Sequence, residues 1–202
     1  MSYSYKTIQS ITEGIYKEKG SKFISFAIPV DNADEIKEIL KEYKKRFFDA
    51  RHLCYAYMLG YERNKFRIND DGEPSGTAGR PILGQINSRD LTNVLVVVVR
   101  YFGGVLLGTG GLVVAYKEAT ADALNQAVIV EKSVQEIISL SFDYLLMNDV
   151  MKVIKDHNPQ IITQEFDTMC NIKLSISKQY AAALKLKFEQ IIGLKINDSM
   201  DD

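Results

Sequence analysis

Residues 91–116 read LTNVLVVVVRYFGGVLLGTGGLVVAY, and this stretch decides the fold. Val94–Tyr101 is an apolar run that ends in Arg100 and Tyr101, which is typical of a central strand covered on both faces. Residues 103–111 are rich in glycine and predict a turn, and the alanine-rich residues 112–127 predict a helix. A buried strand, a glycine turn and a helix therefore follow one another at the centre of the first half of the chain.

Outward from this stretch, the preceding sequence predicts two more strands and a helix. Residues 22–30 are rich in β-branched and aromatic side chains, as strands are, and residues 52–61 predict a second strand. Between them, Asn32 and Glu35 form a capping-box pair, and apolar residues then recur at helical spacing. Residues 68–80, INDDGEPSGTAGR, are dense in turn formers and predict a polar loop.

The second half of the chain repeats no part of the first and predicts a different unit. Strands are expected at residues 134–142, 160–166, 170–177 and 194–196, with a helix after the first and after the third. This β-α-β-β-α-β order is that of the ferredoxin-like split unit. We therefore predict an α+β protein with two domains, residues 1–131 and residues 132–202.

Composition places the chain among ordinary globular proteins, with 46% hydrophobic and 25% charged residues. The first ten residues contain no apolar signal-peptide core, and the longest aliphatic run, at 94–99, is far short of the ~20 residues that a membrane helix needs. Cys54 and Cys170 are too far apart in sequence to suggest a disulfide framework or a zinc motif. We expect a cytoplasmic protein with no membrane partner.

The formal net charge of −1 provides no global attraction to nucleic acid, but the arginines are unevenly distributed. All of them precede residue 131, at positions 46, 51, 63, 67, 80, 89 and 100. Arginine binds carboxylates and phosphates through paired hydrogen bonds that lysine cannot imitate. This distribution favours an anion contact in the first domain, although solvated surface arginines would give the same pattern.

The polar loop carries the densest group of candidate ligand-binding side chains: Asp70, Asp71, Glu73, Ser75, Thr77 and Arg80. Long ordered surface loops are often binding loops. The acids can hold a divalent cation, which prefers oxygen ligands, although their spacing is not that of an EF-hand. The alternative is a structural turn whose acids accept hydrogen bonds from nearby backbone amides.

The glycine turn suggests a second candidate, made of Arg100 and the backbone amides of Thr109, Gly110 and Gly111. Amides at a helix start bind anions, and glycine allows close approach of a ligand. The stretch lacks the lysine of a P-loop and the third glycine of a dinucleotide fingerprint. Glycines that serve tight packing alone are the alternative.

Arg51, His52 and Cys54 begin the second predicted strand. His52 and Cys54 share a strand face about 6–7 Å apart, which is too far for a direct base–nucleophile hydrogen bond. Cys54 is therefore interpreted as a small buried apolar residue. His52 is left as a general base for another group or as a filler of a polar gap.

Four segments together resemble the Impact family, which includes bacterial YigZ-type proteins and eukaryotic Impact translational regulators. They are KGSKFI (19–24), DARHLCYAY (49–57), NDDGEPSGTAGRPIL (69–83) and the 91–116 stretch quoted above. The resemblance implies a first domain similar to the second domain of a small-subunit ribosomal protein. It implies a second domain similar to the last domain of elongation factor G.

The family resemblance brings no agreed reaction with it. Its eukaryotic members act by binding, competing for the activator of a stress kinase and thereby affecting translation initiation. Leu53 stands where many relatives carry histidine or another polar residue, which disfavours catalysis by paired histidines.

Two hypotheses of function follow, and both use the first domain. The first is a regulatory binding protein that associates with RNA, the ribosome or a translation-related protein. The second is a small enzyme, or a binder of a small phosphate-bearing ligand. The candidate ligand-binding residues are Lys22 (from the KGSKFI segment), Arg51, His52, Asp70, Asp71, Glu73, Ser75, Thr77, Arg80, Arg100, Thr109, Gly110 and Gly111. No cofactor is expected apart from the divalent cation considered above.

Overall fold

The computed structural model describes residues 3–197, which form two compact units. One unit is Tyr5–Lys132, and the other comprises residues 133–197 together with Tyr3 and Ser4. No helix within the described residues is long and apolar enough to cross a membrane. Both units combine helices with an antiparallel sheet, so the predicted α+β class is confirmed.

The first unit is built on a five-stranded antiparallel sheet with the strand order β2-β3-β6-β4-β5. Strands β1 and β7 pair with each other in a separate two-stranded sheet. The strands are β1 (Ser4–Ile8), β2 (Thr12–Glu18), β3 (Ser21–Pro29), β4 (His52–Leu59), β5 (Lys65–Asn69), β6 (Val94–Tyr101) and β7 (Ile129–Ser133), and the helices are α1 (Ala33–Arg46), α2 (Gly79–Ser88) and α3 (Gly108–Asn125).

Strand β6 lies in the middle of the sheet and is buried on both faces, as its apolar sequence predicts. Val96 and Val98 pack into one core with α2 and α3. Val97 and Val99 pack into a second core with α1. Because successive side chains of a strand point to opposite faces, one valine-rich strand supplies both cores.

The start of α1 confirms the predicted capping pair. The Asn32 side-chain oxygen accepts hydrogen bonds from the backbone N–H groups of Asp34 and Glu35, at 3.1 and 2.9 Å. The Glu35 carboxylate in turn accepts from the backbone N–H of Asp31 at 2.8 Å. These bonds satisfy amides that the first helical turn leaves without partners.

The prediction for residues 68–80 was wrong at both ends, because β5 continues to Asn69 and α2 begins at Gly79. Strands β1, β2 and β7 were also not predicted from the sequence. Strand β5 is an edge strand with mostly exposed residues, and α2 contains two glycines and a proline. Both sequences have a weak local preference, so tertiary packing determines their structure.

The second unit has the predicted β-α-β-β-α-β order and an antiparallel sheet with the strand order β11-β8-β10-β9. Its core includes Phe142, Leu174 and Phe188, which are fully buried. Its elements are β8 (Gln135–Asp143), α4 (Met147–His157), β9 (Gln160–Glu165), β10 (Met169–Ser177), α5 (Lys178–Glu189) and β11 (Lys195–Asn197).

The polar loop is tied to the start of α2 by the side chain of Asp70. One carboxylate oxygen accepts from the backbone N–H groups of Ala78 and Gly79 at 3.0 and 2.8 Å, and the other accepts from Gly76 at 2.8 Å. Burial alone would raise the pKa of Asp70, but these three amides and nearby Arg80 hold that pKa below its usual value. The carboxylate thus acts as the cap that the N-cap residue of α2, Ala78, does not provide.

Replacing Asp70 with alanine should lower the free energy of unfolding by about 2 kcal/mol at neutral pH, since capping residues contribute up to that amount. A depressed folded-state pKa stabilises the fold above the unfolded value of about 3.9, and this contribution is lost as the pH falls through the lower folded value. Urea unfolding at neutral and acidic pH measures both effects. The exposed Asp31→Ala variant serves as the control, and an equal loss in both variants would contradict the capping role.

Candidate functional site

A cleft of about 480 Å³ opens in the first unit, where β4 and β6 meet the start of α3. Charged and polar side chains lie beside apolar walls, an arrangement typical of small-ligand sites of this size. The cleft is lined by Arg51, His52, Glu73, Pro74, Arg100, Phe102, Leu106, Leu107, Gly108, Thr109 and Leu112.

A buried ion pair between Glu73 and Arg100 lies in this cleft. The Arg100 Nη1 and Glu73 Oε1 atoms are 2.6 Å apart, and the two side chains are 6% and 3% exposed. The guanidinium lies 5.5 Å above the ring of Phe23 and 5.6 Å above that of Phe102, within the range of cation–π attraction. Arg100 Nε is buried and has no hydrogen-bond partner among residues 3–197.

His52 lies beside this pair, because it is the register neighbour of Arg100 across β4 and β6. Its Nδ1 is 2.7 Å from the backbone carbonyl oxygen of Asp71, which can only accept, so Nδ1 carries the proton of that hydrogen bond. Its Nε2 is 3.8 Å from Glu73 Oε1. When the ring is neutral, its unprotonated nitrogen is therefore on the side of the carboxylate.

Tyr116 and Cys54 continue the polar network into the core beneath the cleft. The Tyr116 hydroxyl donates to Glu73 Oε1 at 2.8 Å, and the Cys54 thiol lies 3.3 Å from that hydroxyl and 3.0 Å from the carbonyl oxygen of Asp70. Burial raises the pKa of both the Cys54 thiol and the Tyr116 hydroxyl well above their usual values, and the Glu73 carboxylate adds to the effect. Both groups are therefore neutral hydrogen-bonding groups.

The acids of the polar loop all have partners inside the protein. Asp70 caps α2, Asp71 accepts from the backbone N–H of Leu53 at 2.7 Å, and Glu73 pairs with Arg100. No group of three or more His, Cys, Asp or Glu side chains within residues 3–197 is suited to hold a metal ion. Because Asp70 and Asp71 bind backbone amides, the structural alternative for these two acids accounts for their positions.

The glycine turn leads directly into α3, which starts at Gly108 with a positive φ of 71°. The residue before it, Leu107, offers no side-chain cap to the helix. Thr109 and Gly110 are exposed, and a methyl group added at Gly110 would meet open space. The backbone at Thr109 and Gly110 is therefore accessible to a ligand, and packing does not close the turn at Gly110.

Of the predicted residues, the structure brings together Arg51, His52, Glu73, Arg100 and Thr109 around the cleft. Leu53, the next residue after His52, points instead into the core on the α1 side. The remaining candidates do not line the cleft. Asp70 and Asp71 bind backbone amides, and the Thr77 hydroxyl donates to the carbonyl of Pro74. Ser75 and Arg80 are exposed, Gly110 and Gly111 follow Thr109 in α3, and Lys22 lies in a separate concavity at the β2–β3 hairpin.

Leu112 and Tyr116 were not predicted as site residues, although Leu112 lines the cleft and Tyr116 binds Glu73 beneath it. These residues are four apart in α3, so they lie on one helix face, and that spacing is the signal available in the sequence. The spacing does not predict that Tyr116 binds Glu73, because Glu73 lies in a loop 43 residues away in sequence.

Cys54 should not react with thiol reagents in the folded protein at neutral or mildly alkaline pH. Its thiol is fully buried and its pKa is raised, whereas the thiolate is the reactive form. Titration with Ellman's reagent should find neither Cys54 nor the equally buried Cys170 before urea is added, and both afterwards. Rapid labelling of Cys54 in the native protein would contradict this assignment.

Comparison with known proteins places the chain in a family. A model of the Impact N-terminal domain matches residues 19–124. The IMPACT family member YvyE of Bacillus subtilis is 36% identical over 156 residues, which cover 77% of this chain and 72% of YvyE. The IMPACT family member YigZ of Escherichia coli is 30% identical over 171 residues, which cover 84% of each chain.

Solved structures agree with the fold. A crystal structure described as that of a hypothetical protein covers 100% of both chains, with a TM-score of 0.78 and 26% identity. The two-domain translational regulator Yih1 aligns with 59% of this chain and 48% of its own, but at a TM-score of 0.40 and 24% identity it is too distant to support an inference. The sequence matches to the Impact N-terminal domain and to YvyE and YigZ show that the chain belongs to the Impact family.

Proposed function

We propose that the protein has a translation-related regulatory role, which it exerts by binding, and that the cleft of its first unit takes a phosphate-bearing ligand. Membership of the Impact family supports the regulatory role, because the resemblance described above includes translational regulators. The chemistry of the cleft supports the ligand class. RNA and the translation machinery are the partners that these two arguments favour together.

One observation carries the ligand proposal: the start of α3, which no side chain caps, opens onto the cleft. The first amides of a helix attract anions through their free N–H groups and the helix dipole. Arg51 adds an exposed guanidinium at the rim. These groups are all donors, so they suit an acceptor-rich anion such as phosphate.

The same geometry argues for a compact ligand and against a continuous RNA strand at this place. Arg100 is buried and neutralised by Glu73, so it cannot serve as an exposed phosphate contact. Arg80 is exposed but does not line the cleft. Apolar walls, including Phe102 and Leu106, instead suit the base of one nucleotide whose phosphate lies at α3.

Binding of adenosine monophosphate should raise the melting temperature of the protein in a concentration-dependent way, and adenosine at equal concentration should do so less. Arg51→Ala should weaken binding by about tenfold, the effect of losing one charge-assisted hydrogen bond at an exposed position. Thr109→Glu should abolish phosphate binding while leaving the fold as stable or more so, because a carboxylate suits the first turn of a helix. Calorimetric titration measures each affinity.

The matched control for these variants is Lys17→Ala, which removes an exposed cation outside the cleft. It should bind as the wild type does. If neither adenosine monophosphate nor inorganic phosphate binds the wild type, or if Thr109→Glu binds both unchanged, the phosphate proposal is wrong.

A second candidate function, a hydrolase acting on such a ligand, is favoured by the fixed ring of His52. The hydrogen bond from Nδ1 to the Asp71 carbonyl leaves Nε2 as an acceptor in the cleft, which is the arrangement a general base requires. Arg51 and the α3 amides would then stabilise the charge that develops on the phosphate.

His52→Gln separates this candidate from pure binding. If the protein hydrolyses p-nitrophenyl phosphate, the variant should lose about 100-fold or more in turnover, the usual contribution of a general base. Its affinity for adenosine monophosphate should stay within about threefold, since the α3 amides and Arg51 remain. Turnover that survives in the variant would exclude His52 as the base.

A further inference from the structure

A second concave surface, on the α1 side of the sheet, has no part in the cleft described above. It is a groove of about 730 Å³ between α1 and the edge strand β5. The groove is lined by Lys37, Leu40, Lys41, Lys44, Lys45, Phe48, Tyr55, Arg67 and Asn69. We refer to these residues as the α1–β5 groove.

Regularly spaced residues on two elements, α1 and β5, form this groove. On α1, Lys37, Lys41 and Lys44 lie four and three residues apart, so they form one stripe along the helix, and Phe48 continues it beyond the helix end. On β5, Arg67 and Asn69 are two residues apart and therefore share a face of the sheet. Two polar rows thus run along the groove, one on the helix and one on the strand.

The charge of the groove is one-sided. Its lining contains five cationic side chains and no carboxylate. Lys37 and Lys41 pair with Asp34 and Glu38, three residues before them on exposed parts of α1. The other three cations, Lys44, Lys45 and Arg67, have no carboxylate within ion-pair distance among residues 3–197.

Aromatic residues accompany these charges. Tyr55 lies on β4 directly opposite Asn69 of β5. Phe48, at one end of the groove, is 85% exposed, although it is large and apolar. An exposed aromatic ring beside a row of cations is the combination that single-stranded nucleic acids bind, since phosphates follow the cations and a base stacks on the ring.

We propose that the α1–β5 groove binds a single-stranded nucleic acid, with Lys44, Lys45 and Arg67 contacting phosphates and Phe48 stacking on a base. The choice of this polyanion over an acidic protein segment rests on Phe48, whose ring has no packing role in the fold at that exposure. The inference goes beyond the proposed function, because it concerns a different face of the sheet and no residue of the cleft.

The test measures binding of a labelled oligouridylate of about 12 nucleotides, and of an equally long oligodeoxythymidylate, to the full chain across a range of salt concentrations. For single strands, each neutralised phosphate contributes about 0.7 to the slope of log affinity against log salt. The variant with Lys44→Gln, Lys45→Gln and Arg67→Gln should therefore lose about 2 from that slope and at least about tenfold in affinity at 0.1 M salt. Comparing the two oligonucleotides distinguishes RNA from DNA as the preferred ligand.

A charge-matched control variant replaces Lys6, Lys17 and Lys117, which are exposed in the same unit but outside the groove, and should bind nearly as the wild type does. Phe48→Ala should weaken oligouridylate binding about tenfold and leave binding of inorganic polyphosphate unchanged, because polyphosphate has no bases to stack.

Three results would overturn the proposal: no binding by the wild type at low salt, equal losses in the groove and control variants, or tighter binding of polyglutamate than of either oligonucleotide. Melting temperatures of all variants show whether a loss reflects unfolding. The groove variant changes no residue of the cleft and should still bind adenosine monophosphate as the wild type does, so failure of the groove proposal and failure of the cleft proposal are separate outcomes.

Discussion

The buried contact between Glu73 and Arg100 is the interaction on which the functional half of this structure depends. It joins a loop to the end of the central strand at 2.6 Å, with both side chains nearly inaccessible to water. Removing either partner would leave an uncompensated buried charge, which is far more costly than never having buried the pair. Apolar residues of similar volume can stabilise such a position equally well, so stability alone does not account for the pair. What the pair provides is a carboxylate and a guanidinium held at fixed positions in a cleft.

The rest of the polar loop serves to hold that geometry. Asp70 fixes the start of α2, and Asp71 fixes the backbone of Leu53 and, through its own carbonyl, the ring of His52. A loop with this many bonds to its surroundings has little freedom to move. Asp70 and Asp71, which suggest a metal site in the sequence, therefore accept hydrogen bonds from backbone amides. The side chains that remain to face a ligand in the cleft are mostly cationic or apolar.

The sequence predicted best where a single element decides the outcome. The apolar run of β6 required cover on both faces, and the Asn32–Glu35 pair required a helix start, because each signal is local and strong. Strand β5 and helix α2 have no such signal. An edge strand need not show a clear alternation of apolar and polar residues, and the cap of α2 comes from Asp70, nine residues before Gly79. The same distinction between local and long-range signals applies to the candidate site. Arg51, His52 and Thr109 were predictable as polar residues at element ends, whereas the pairing of Glu73 with Arg100 and Tyr116 depends on long-range packing.

The arginine distribution illustrates how a correct sequence signal can have several physical causes. Four of the seven arginines are engaged inside the fold: Arg100 pairs with Glu73, Arg63 with Asp90 and Asn87, Arg89 with Gln85 and Asn125, and Arg46 lies over three aromatic rings. The planar guanidinium suits such forked and stacked contacts, which explains much of the enrichment without any ligand. Arg51, Arg67 and Arg80 remain exposed. Arg51 borders the cleft and Arg67 borders the α1–β5 groove, on opposite faces of one sheet. With a net charge of −1, attraction of an anion must come from these local surfaces, because a Debye length of about 10 Å at moderate salt screens each face from the other.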